Sequence, residues 1–164
     1  MKLTQQQISD VSEVEVSFFT SQLECHPWEN HDDLLVISFK SQKAVNSRDL
    51  CFMDAMKSAA SVVWRPAAII LDFRELHYIY GDTMDCLFQS LYPKPSTQLE
   101  KIFAGPEERF PIVAVKSPLN QEGLTSLVRK EMSRDPVRVL FESLEEEVKA
   151  IEAELKDGEK GVKS

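Results

Sequence analysis

The sequence predicts a single α/β domain with a mixed, mostly parallel sheet of about five strands. Two β-patterned segments come first, and helical patterns then alternate with short apolar strands along the rest of the chain. The later strands are nearly continuous apolar runs, which is typical of strands covered on both faces. The 164 residues are 43% hydrophobic and 28% charged, so one domain with a sizeable core is expected.

The first two strands differ in pattern. Val14, Val16 and Phe18 alternate with polar residues, which predicts a strand with one solvent-facing side. The segment LLVISFK at residues 34–40 consists almost entirely of β-forming residues and predicts a buried strand. The residues between the two strands contain Pro27 and are expected to form a loop.

The first helix is predicted to begin near Asn46, which can cap it, with Asp49 three residues further on. It ends before Pro66, since proline disfavours helical backbone at the residue before it. The segment Ala67–Phe73, AAIILDF, is the clearest buried strand of the chain. The apolar residues of the helix that recur at helical spacing are Leu50, Met53, Met56, Ala60 and Val63.

Two further helices are predicted, with a strand between them. Asp82 can cap the first helix, and the strand Phe110–Ser117 follows a connector. Ser117 and Pro118 then open the next helix, with proline at its first position. The apolar faces comprise Met84, Leu87, Phe88 and Leu91 in the first helix and Leu124, Leu127, Val128 and Met132 in the second.

The chain closes with a strand at Pro136–Ser143 and a helix opened by a capping box of Ser143 and Glu146. The predicted order is therefore β-β-α-β-α-β-α-β-α, in one domain over residues 1–155. A flexible tail is expected at residues 156–164. The apolar stripe of the last helix comprises Leu144, Val148, Ile151 and Leu155.

Charge and hydropathy narrow the class of partner. The net charge of −8 disfavours nucleic-acid binding, which needs a basic patch. No apolar run is long enough to cross a bilayer, and the first residues carry no signal-peptide core, so a cytoplasmic protein without membrane contact is expected. An acidic surface suits a basic protein partner, although acidity can also serve solubility alone.

The junction RELHYIYGD, from Arg74 to Asp82, is the segment that most invites a functional interpretation. The chain has no G-x-S-x-G elbow and no phosphate-binding glycine loop. A hydrolase that uses Asp72, or the pair Asp82 and Asp85, remains a third hypothesis. The alternative for Asp72 is that it accepts backbone hydrogen bonds at the strand end or pairs with Arg74.

Metal-compatible side chains gather in the first loop, but their spacing fits no tight ligand pair such as C-x-x-C or H-E-x-x-H. His77 lies in another loop and does not extend the set. No metal site, no cofactor and no catalytic residue is therefore predicted. The residues concerned are Cys25, His26, His31, Asp32 and Asp33.

Two segments and the element order resemble the STAS domain, the fold of anti-sigma-factor antagonists and of anion-transporter tails. AAIILDFRELHYIYGDTMDCL is similar to the family's central strand, loop and helix start, and RVLFESLEEEVKAI to its last strand and acidic helix. The resemblance covers about residues 12–155. It implies a regulatory protein that binds an anti-sigma factor or a kinase-like partner.

One departure from the STAS pattern affects its phosphorylation switch. Regulated members carry Asp-Ser-Ser/Thr-Gly at this loop, and the second hydroxyl accepts phosphate. Here Tyr80-Gly81-Asp82-Thr83 stands at that place, so the acceptor position falls on Asp82, a carboxylate that a Ser/Thr kinase cannot modify. Thr83 is adjacent and is a candidate for a shifted acceptor.

The remaining interpretation is protein recognition, because Tyr and Arg are frequent anchors of interfaces. The first hypothesis is an immunity protein that neutralises a bacterial toxin or effector through an acidic, tyrosine-bearing face, by analogy rather than by motif. The STAS-type regulator is the alternative. Packing of Tyr78 and Tyr80 over the sheet edge is left open. The predicted partner contacts are Arg74, Glu75, Tyr78, Tyr80, Asp82 and Asp85.

Overall fold

A computed structural model describes residues 12–21, 34–64, 66, 68–79, 82–88, 112–130 and 140–151. The elements follow the predicted order. The strands are β1 Glu15–Ser21, β2 Leu34–Lys40, β3 Ala68–Glu75, β4 Ile112–Val115 and β5 Leu140–Phe141. The helices are α1 Ser47–Trp64, a 3₁₀ helix at Asp82–Phe88, α2 Gln121–Lys130 and α3 at residues 144–151.

The five strands form one mixed sheet in the order β1-β2-β3-β4-β5. β1 pairs antiparallel with β2, and Phe19 lies opposite Val36. The other three pairs are parallel, with Ile70 next to Val36 on one side and Val113 on the other. This mixed sheet with its helices confirms the predicted α/β fold class.

The larger core lies on the sheet face that carries α1, the 3₁₀ helix and α2. Parallel strands that are added in sequence, with right-handed crossovers, place every connecting helix on the same face. The odd-numbered residues of β2 and β3 point into this core. Its most buried aromatic and aliphatic side chains include Leu35, Ile37, Phe39, Met53, Ile69, Leu71, Phe73, Leu87 and Leu124.

The opposite face carries a smaller core, which α3 covers. The even-numbered residues of β3 point to this face, and Ile151 of α3 packs against them. The fully buried members are Leu34, Ala68, Ile70, Val113, Val115 and Ile151. The two cores therefore differ in size, because three helices pack on one face of the sheet and a single described helix packs on the other.

Two predicted caps are present. The Asn46 side chain accepts the backbone N–H groups of Arg48 and Asp49 at 2.8 and 3.2 Å, and Asp49 accepts the N–H of Asn46 at 3.0 Å. This reciprocal arrangement is a capping box for α1. At α3 the Ser143 hydroxyl accepts the Glu146 N–H at 3.2 Å, as the sequence predicts.

Two helices differ in detail from their predictions. The segment after Asp82 forms a 3₁₀ helix of seven residues rather than an α-helix, although Met84, Leu87 and Phe88 are buried as expected. α2 begins at Gln121 rather than at Pro118, because residues 117–120 form a hydrogen-bonded turn that Asn120 closes. Residues 156–164, the predicted tail, lie outside the described residues, and that prediction stays open.

The inner face of α1 also departs from the predicted stripe. Val63 is 72% exposed, whereas Lys57 is 2% exposed and takes an inner position between Met53 and Ala60. The Lys57 ammonium donates to the Cys86 carbonyl at 2.8 Å and pairs with Asp54 at 2.9 Å. A buried cation is stable only with such partners, and here it fastens α1 to the 3₁₀ helix.

Candidate functional site

The carboxyl ends of the parallel strands meet at one edge of the sheet, and the predicted junction follows β3 at this edge. Ligand and partner sites of open α/β sheets usually lie there. β3 supplies Asp72, Arg74 and Glu75, and the turn that follows supplies residues 76–79. The loops after β2 and β4 lie against this turn and are joined to it by hydrogen bonds.

Asp72 and Arg74 form a two-pronged ion pair. Nε of Arg74 donates to Oδ1 of Asp72 at 2.9 Å and Nη2 donates to Oδ2 at 2.8 Å, while the Arg74 backbone N–H also donates to Oδ1 at 3.1 Å. Burial by itself raises the pKa of Asp72, but the hydrogen bonds from Arg74 and Ser38 outweigh it, and the net pKa is lowered. The carboxylate is ionised and engaged at both oxygens, which confirms the structural alternative and argues against a nucleophile.

Glu147 of α3 completes this cluster, and it is not among the residues predicted from the sequence. The side chain is fully buried, and both carboxyl oxygens lack a hydrogen-bond partner among the described residues. The pKa of Glu147 is raised to about 9, mainly by burial and also by the Asp72 charge, and Arg74 opposes this shift only in part. Position 147 follows Leu144 by three residues and precedes Ile151 by four, so helical spacing could have placed it on the inner stripe.

The turn after β3 is tied to the loop that follows β2. The Ser41 hydroxyl accepts the His77 backbone N–H at 3.0 Å, and the Ser41 N–H donates to the Glu75 carbonyl at 3.0 Å. The Val45 N–H donates to the His77 carbonyl at 3.0 Å. These three bonds pair the backbone groups of a segment that has left the sheet, and they fix its path.

Asn120 ties the same turn to the loop that follows β4. Its side chain is buried, and Nδ2 donates to the carbonyls of Phe73 at 2.5 Å and Leu76 at 2.9 Å. Oδ1 accepts the Ser117 N–H at 3.0 Å. The amide therefore satisfies three backbone groups of two loops at once. The sequence places Asn120 at the entry of a predicted helix, and nothing in that pattern indicates that its side chain would join two loops.

Gly123 lets α2 approach the turn closely. A Cβ atom at this position would overlap the Ile79 carbonyl oxygen and would lie 3.0 Å from Cδ1 of Tyr78. Only glycine fits this packing without a shift of the backbone. α2, the loop after β2 and the loop after β4 thus enclose residues 76–79 on three sides.

The six predicted contacts fall into four groups, of which buried Tyr78 is described separately below. Arg74 and Glu75 are exposed, and the Glu75 carboxylate pairs with Lys40 at 2.9 Å. Asp85 is half-buried in the 3₁₀ helix. Tyr80 and the side chain of Asp82 lie outside the described residues.

Tyr78 requires a correction. Its side chain is 2% exposed and belongs to the larger core, where its ring lies beside Gly123. The packing alternative therefore holds for this tyrosine, and its ring is not available to a partner in this conformation. Tyr78 and Ile79 lie on opposite sides of the turn, one buried and one exposed. The sequence alone did not indicate which side would face the core.

Two exposed apolar side chains stand at this edge instead. Ile79 is 56% exposed and Leu119 is 57% exposed. The Ile79 carbonyl lies against Gly123, and Leu119 lies in the turn that precedes α2, four residues before Gly123. We call Ile79, Leu119, Arg74 and Glu75 the carboxyl-end surface.

Two site types that the sequence did not predict, a metal site and a membrane span, were also sought among the described residues. Over these residues, no three His, Cys, Asp or Glu side chains gather as metal ligands. The loop residues Cys25, His26, His31, Asp32 and Asp33 lie outside the described ranges. Within those ranges, no helix combines the length and apolar character needed to cross a membrane.

Comparison with known proteins yields one structural likeness to report. No protein-family model and no curated protein matches the chain. The chain is similar to the crystal structure of an anti-sigma factor antagonist from Mycobacterium paratuberculosis, with 11% sequence identity and a TM-score of 0.48. The alignment covers 85% of this chain and 93% of that one. A likeness at this level does not assign a function.

Proposed function

We propose that this protein is a non-enzymatic binding module that recognises another protein through the carboxyl-end surface. The observation that carries the proposal is the preformed turn at residues 76–79, which is enclosed by three neighbouring segments and yet presents Ile79 to solvent. A rigid backbone with exposed apolar side chains loses little conformational entropy on binding. Surfaces of this kind are typical of protein interfaces.

The contact set follows from exposure. We take Ile79 and Leu119 as the proposed apolar contacts and Arg74 and Glu75 as the proposed charged contacts, since all four side chains are exposed. Tyr80, Asp82 and Asp85 stay in the proposed contact set from the sequence, since they continue the chain from Ile79. Tyr78 is removed from the set because it is buried.

The partner we favour is a regulatory protein of the kind that STAS domains bind, an anti-sigma factor or a kinase-like protein. The element order and the turn after β3 support this choice. The toxin-immunity hypothesis depends on an analogy with small acidic proteins that have no catalytic motif, and the described residues add no support for it, so we place it second. The hydrolase hypothesis is third, because the Asp72 carboxylate is held by Arg74 at both oxygens.

Binding to a purified kinase-like anti-sigma factor, measured by isothermal titration calorimetry, tests the proposal. Ile79→Lys and Leu119→Lys should each weaken binding at least about tenfold, since each places a charge at a proposed apolar contact. Val62→Lys is the matched control, because Val62 is 65% exposed at the far end of α1. Equal affinity of all three variants and the unchanged chain would refute the proposed surface.

A second assay separates the regulator from the immunity protein. The candidate toxin is the effector encoded beside this gene, and a tight complex with it, together with no binding to the kinase-like protein, favours immunity. Phosphorylation is read in parallel by mass spectrometry after incubation with the kinase. Thr83 is the expected acceptor if the switch is retained, and absence of phosphate from residues 77–90 would exclude a phosphorylation switch at this loop.

A further inference from the structure

The exposed apolar side chains of the described residues form two groups at opposite ends of the sheet. Ile79 and Leu119 belong to the carboxyl-end surface. The other three lie at the amino end, near the edge strand β1. We call these three the edge patch: Phe19 at 58%, Val62 at 65% and Val63 at 72% exposure.

The edge patch lies on both faces of the sheet beside β1, with Val62 and Val63 on the side of α1 and Phe19 on the other. The ring of Trp64, the last residue of α1, lies 5.3 Å from the ring of Phe18. Val62 and Val63 immediately precede Trp64, so they stand at the end of α1 that touches β1. Phe19 points to the other face of the sheet, where it lies opposite Val36. Apolar side chains thus flank β1 on both faces.

β1 is an end strand of the sheet, and its composition does not protect it from pairing with a strand of another chain. Among the described strands, β1 has only β2 as a neighbour. The segment EVSFFTS contains no lysine, arginine or proline, the residues that natural edge strands use to prevent pairing. β5, the other end strand, is described over two residues only. A seven-residue edge with apolar flanks is a ready template for another strand.

We infer that β1 pairs antiparallel with β1 of a second copy of this chain, to give a two-fold symmetric dimer with a continuous sheet. In the register centred on Phe18, each Phe18 lies opposite its counterpart and each Phe19 lies opposite Ser17 of the second copy. The two Phe19 rings are then diagonal neighbours on one face, a distance that aromatic side chains can bridge. The single patch is therefore self-complementary, as a two-fold interface requires.

The charges of β1 fit the same register. Glu15 is the only ionisable side chain of the strand, and it lies opposite Ser21 of the second copy, so no like charges face each other. Glu13, just before the strand, is paired with Lys43 at 3.0 Å within its own chain. The net charge of the whole protein is −8, but β1 carries a single acidic side chain, Glu15. These features favour a second copy over a charged peptide as the occupant.

Sedimentation velocity of the full chain, over about 5 to 500 µM, tests the inference, since this range covers the modest affinities of small interfaces. The dimer fraction should rise with concentration. Phe19→Lys should weaken dimerisation at least about tenfold, because the substitution acts in both copies. Val63→Lys places a charge on the other face of the edge and should also weaken dimerisation. Ile79→Lys, an equally exposed isoleucine at the other end, should leave the dimer unchanged.

Hydrogen exchange of the β1 amides identifies what covers the edge. Protection of residues 15–21 that grows with concentration, and that Phe19→Lys removes, supports pairing with a second copy. Protection that is the same at all concentrations in a monomer overturns the inference, because the edge is then covered by residues of its own chain. A monomer throughout, or a dimer that neither Phe19→Lys nor Val63→Lys weakens, also overturns it. Circular dichroism verifies that each variant is folded.

Discussion

The two faces of the sheet are built differently. The face under α1, the 3₁₀ helix and α2 holds an aromatic core, in which the Phe73 ring lies 5.8 Å from Phe39 and 6.2 Å from Phe88. The face under α3 holds a small aliphatic core and, next to it, the cluster of Asp72, Arg74 and Glu147. Stability should therefore depend on packing on the first face and on protonation on the second.

The difference follows from topology. Each crossover between parallel strands adds a helix to the first face, whereas the second face is reached only after the last strand. The side chains of Asp72 and Arg74 point to the second face because they continue the even-numbered series of β3 after Ala68 and Ile70. α3 then covers a charged strand end, and Glu147 becomes buried beside it. Four predictions test this contrast.

The largest effect is expected from Phe73→Ala. Phe73 is fully buried and contacts two other rings, so its truncation should lower the free energy of unfolding by about 3–5 kcal/mol. Urea unfolding followed by circular dichroism measures the loss. The comparison on the second face is Val148→Ala on α3, which is half-buried and should cost about 1 kcal/mol or less. Equal losses would contradict the proposed difference between the faces.

Asn120→Ala should rank second. It removes the amide that serves the carbonyls of Phe73 and Leu76 and the N–H of Ser117. The Phe73 carbonyl keeps the Leu76 N–H at 2.9 Å, so the expected cost of about 1–3 kcal/mol comes mainly from the Leu76 carbonyl and the Ser117 N–H. Hydrogen exchange should also show faster exchange at residues 76–79. Gln121→Ala, at an exposed neighbouring position, is the control. An unchanged turn in Asn120→Ala would show that Ser41 and Gly123 suffice to hold it.

Glu147→Gln should change the pH dependence of stability. The folded-state pKa of Glu147 is about 9 against an ordinary value of 4.5, so the folded protein retains a proton that the unfolded chain releases. The stabilisation from this proton is complete below pH 4.5 and is lost as pH rises towards about 9. Over this range the free energy of unfolding falls by up to about 1.4 kcal/mol per pH unit. The glutamine variant should lack this decline when unfolding is compared at about pH 6 and about pH 8.5.

The matched control for this experiment is Glu146→Gln, because Glu146 is the exposed neighbour on the same helix. It should keep the decline of the unchanged protein. A decline that persists in Glu147→Gln would mean that another group causes it. Asp72 does not produce the same trend, since its lowered pKa makes it lose stabilisation as pH falls.

The smallest effect is expected from Lys43→Ala. The pair of Lys43 with Glu13 is 3.0 Å long, but both side chains are about three-quarters exposed. Water and salt screen such pairs, so the melting temperature should change by less than about 2 °C. A larger change would show that residues before β1 contribute more to the fold than this surface pair suggests.

The sequence allowed the fold to be predicted more fully than the site. Alternation in β1, the apolar runs of β2 and β3 and the caps at Asn46 and Ser143 are local signals, and the structure confirms each of them. Arg74 was found as a partner of Asp72 because the two are close in sequence. The sequence did not reveal the roles of Asn120, Gly123 and Lys57. Lys57 bonds to Cys86, 29 residues away, and Asn120 bonds to Phe73, 47 residues away. Gly123 is required by the backbone of Ile79, which only tertiary packing brings near it.

Local periodicity and capping chemistry by themselves determined the element order and the α/β class, because both act over a few residues. Tertiary structure decided which side of the turn after β3 faces the core. It buried Tyr78, left Ile79 exposed and placed Glu147 beside Asp72. These outcomes depend on how closely α2 and α3 approach the sheet. At α2 the close approach depends on Gly123 and Asn120, which contact residues 44 to 47 positions away in the chain.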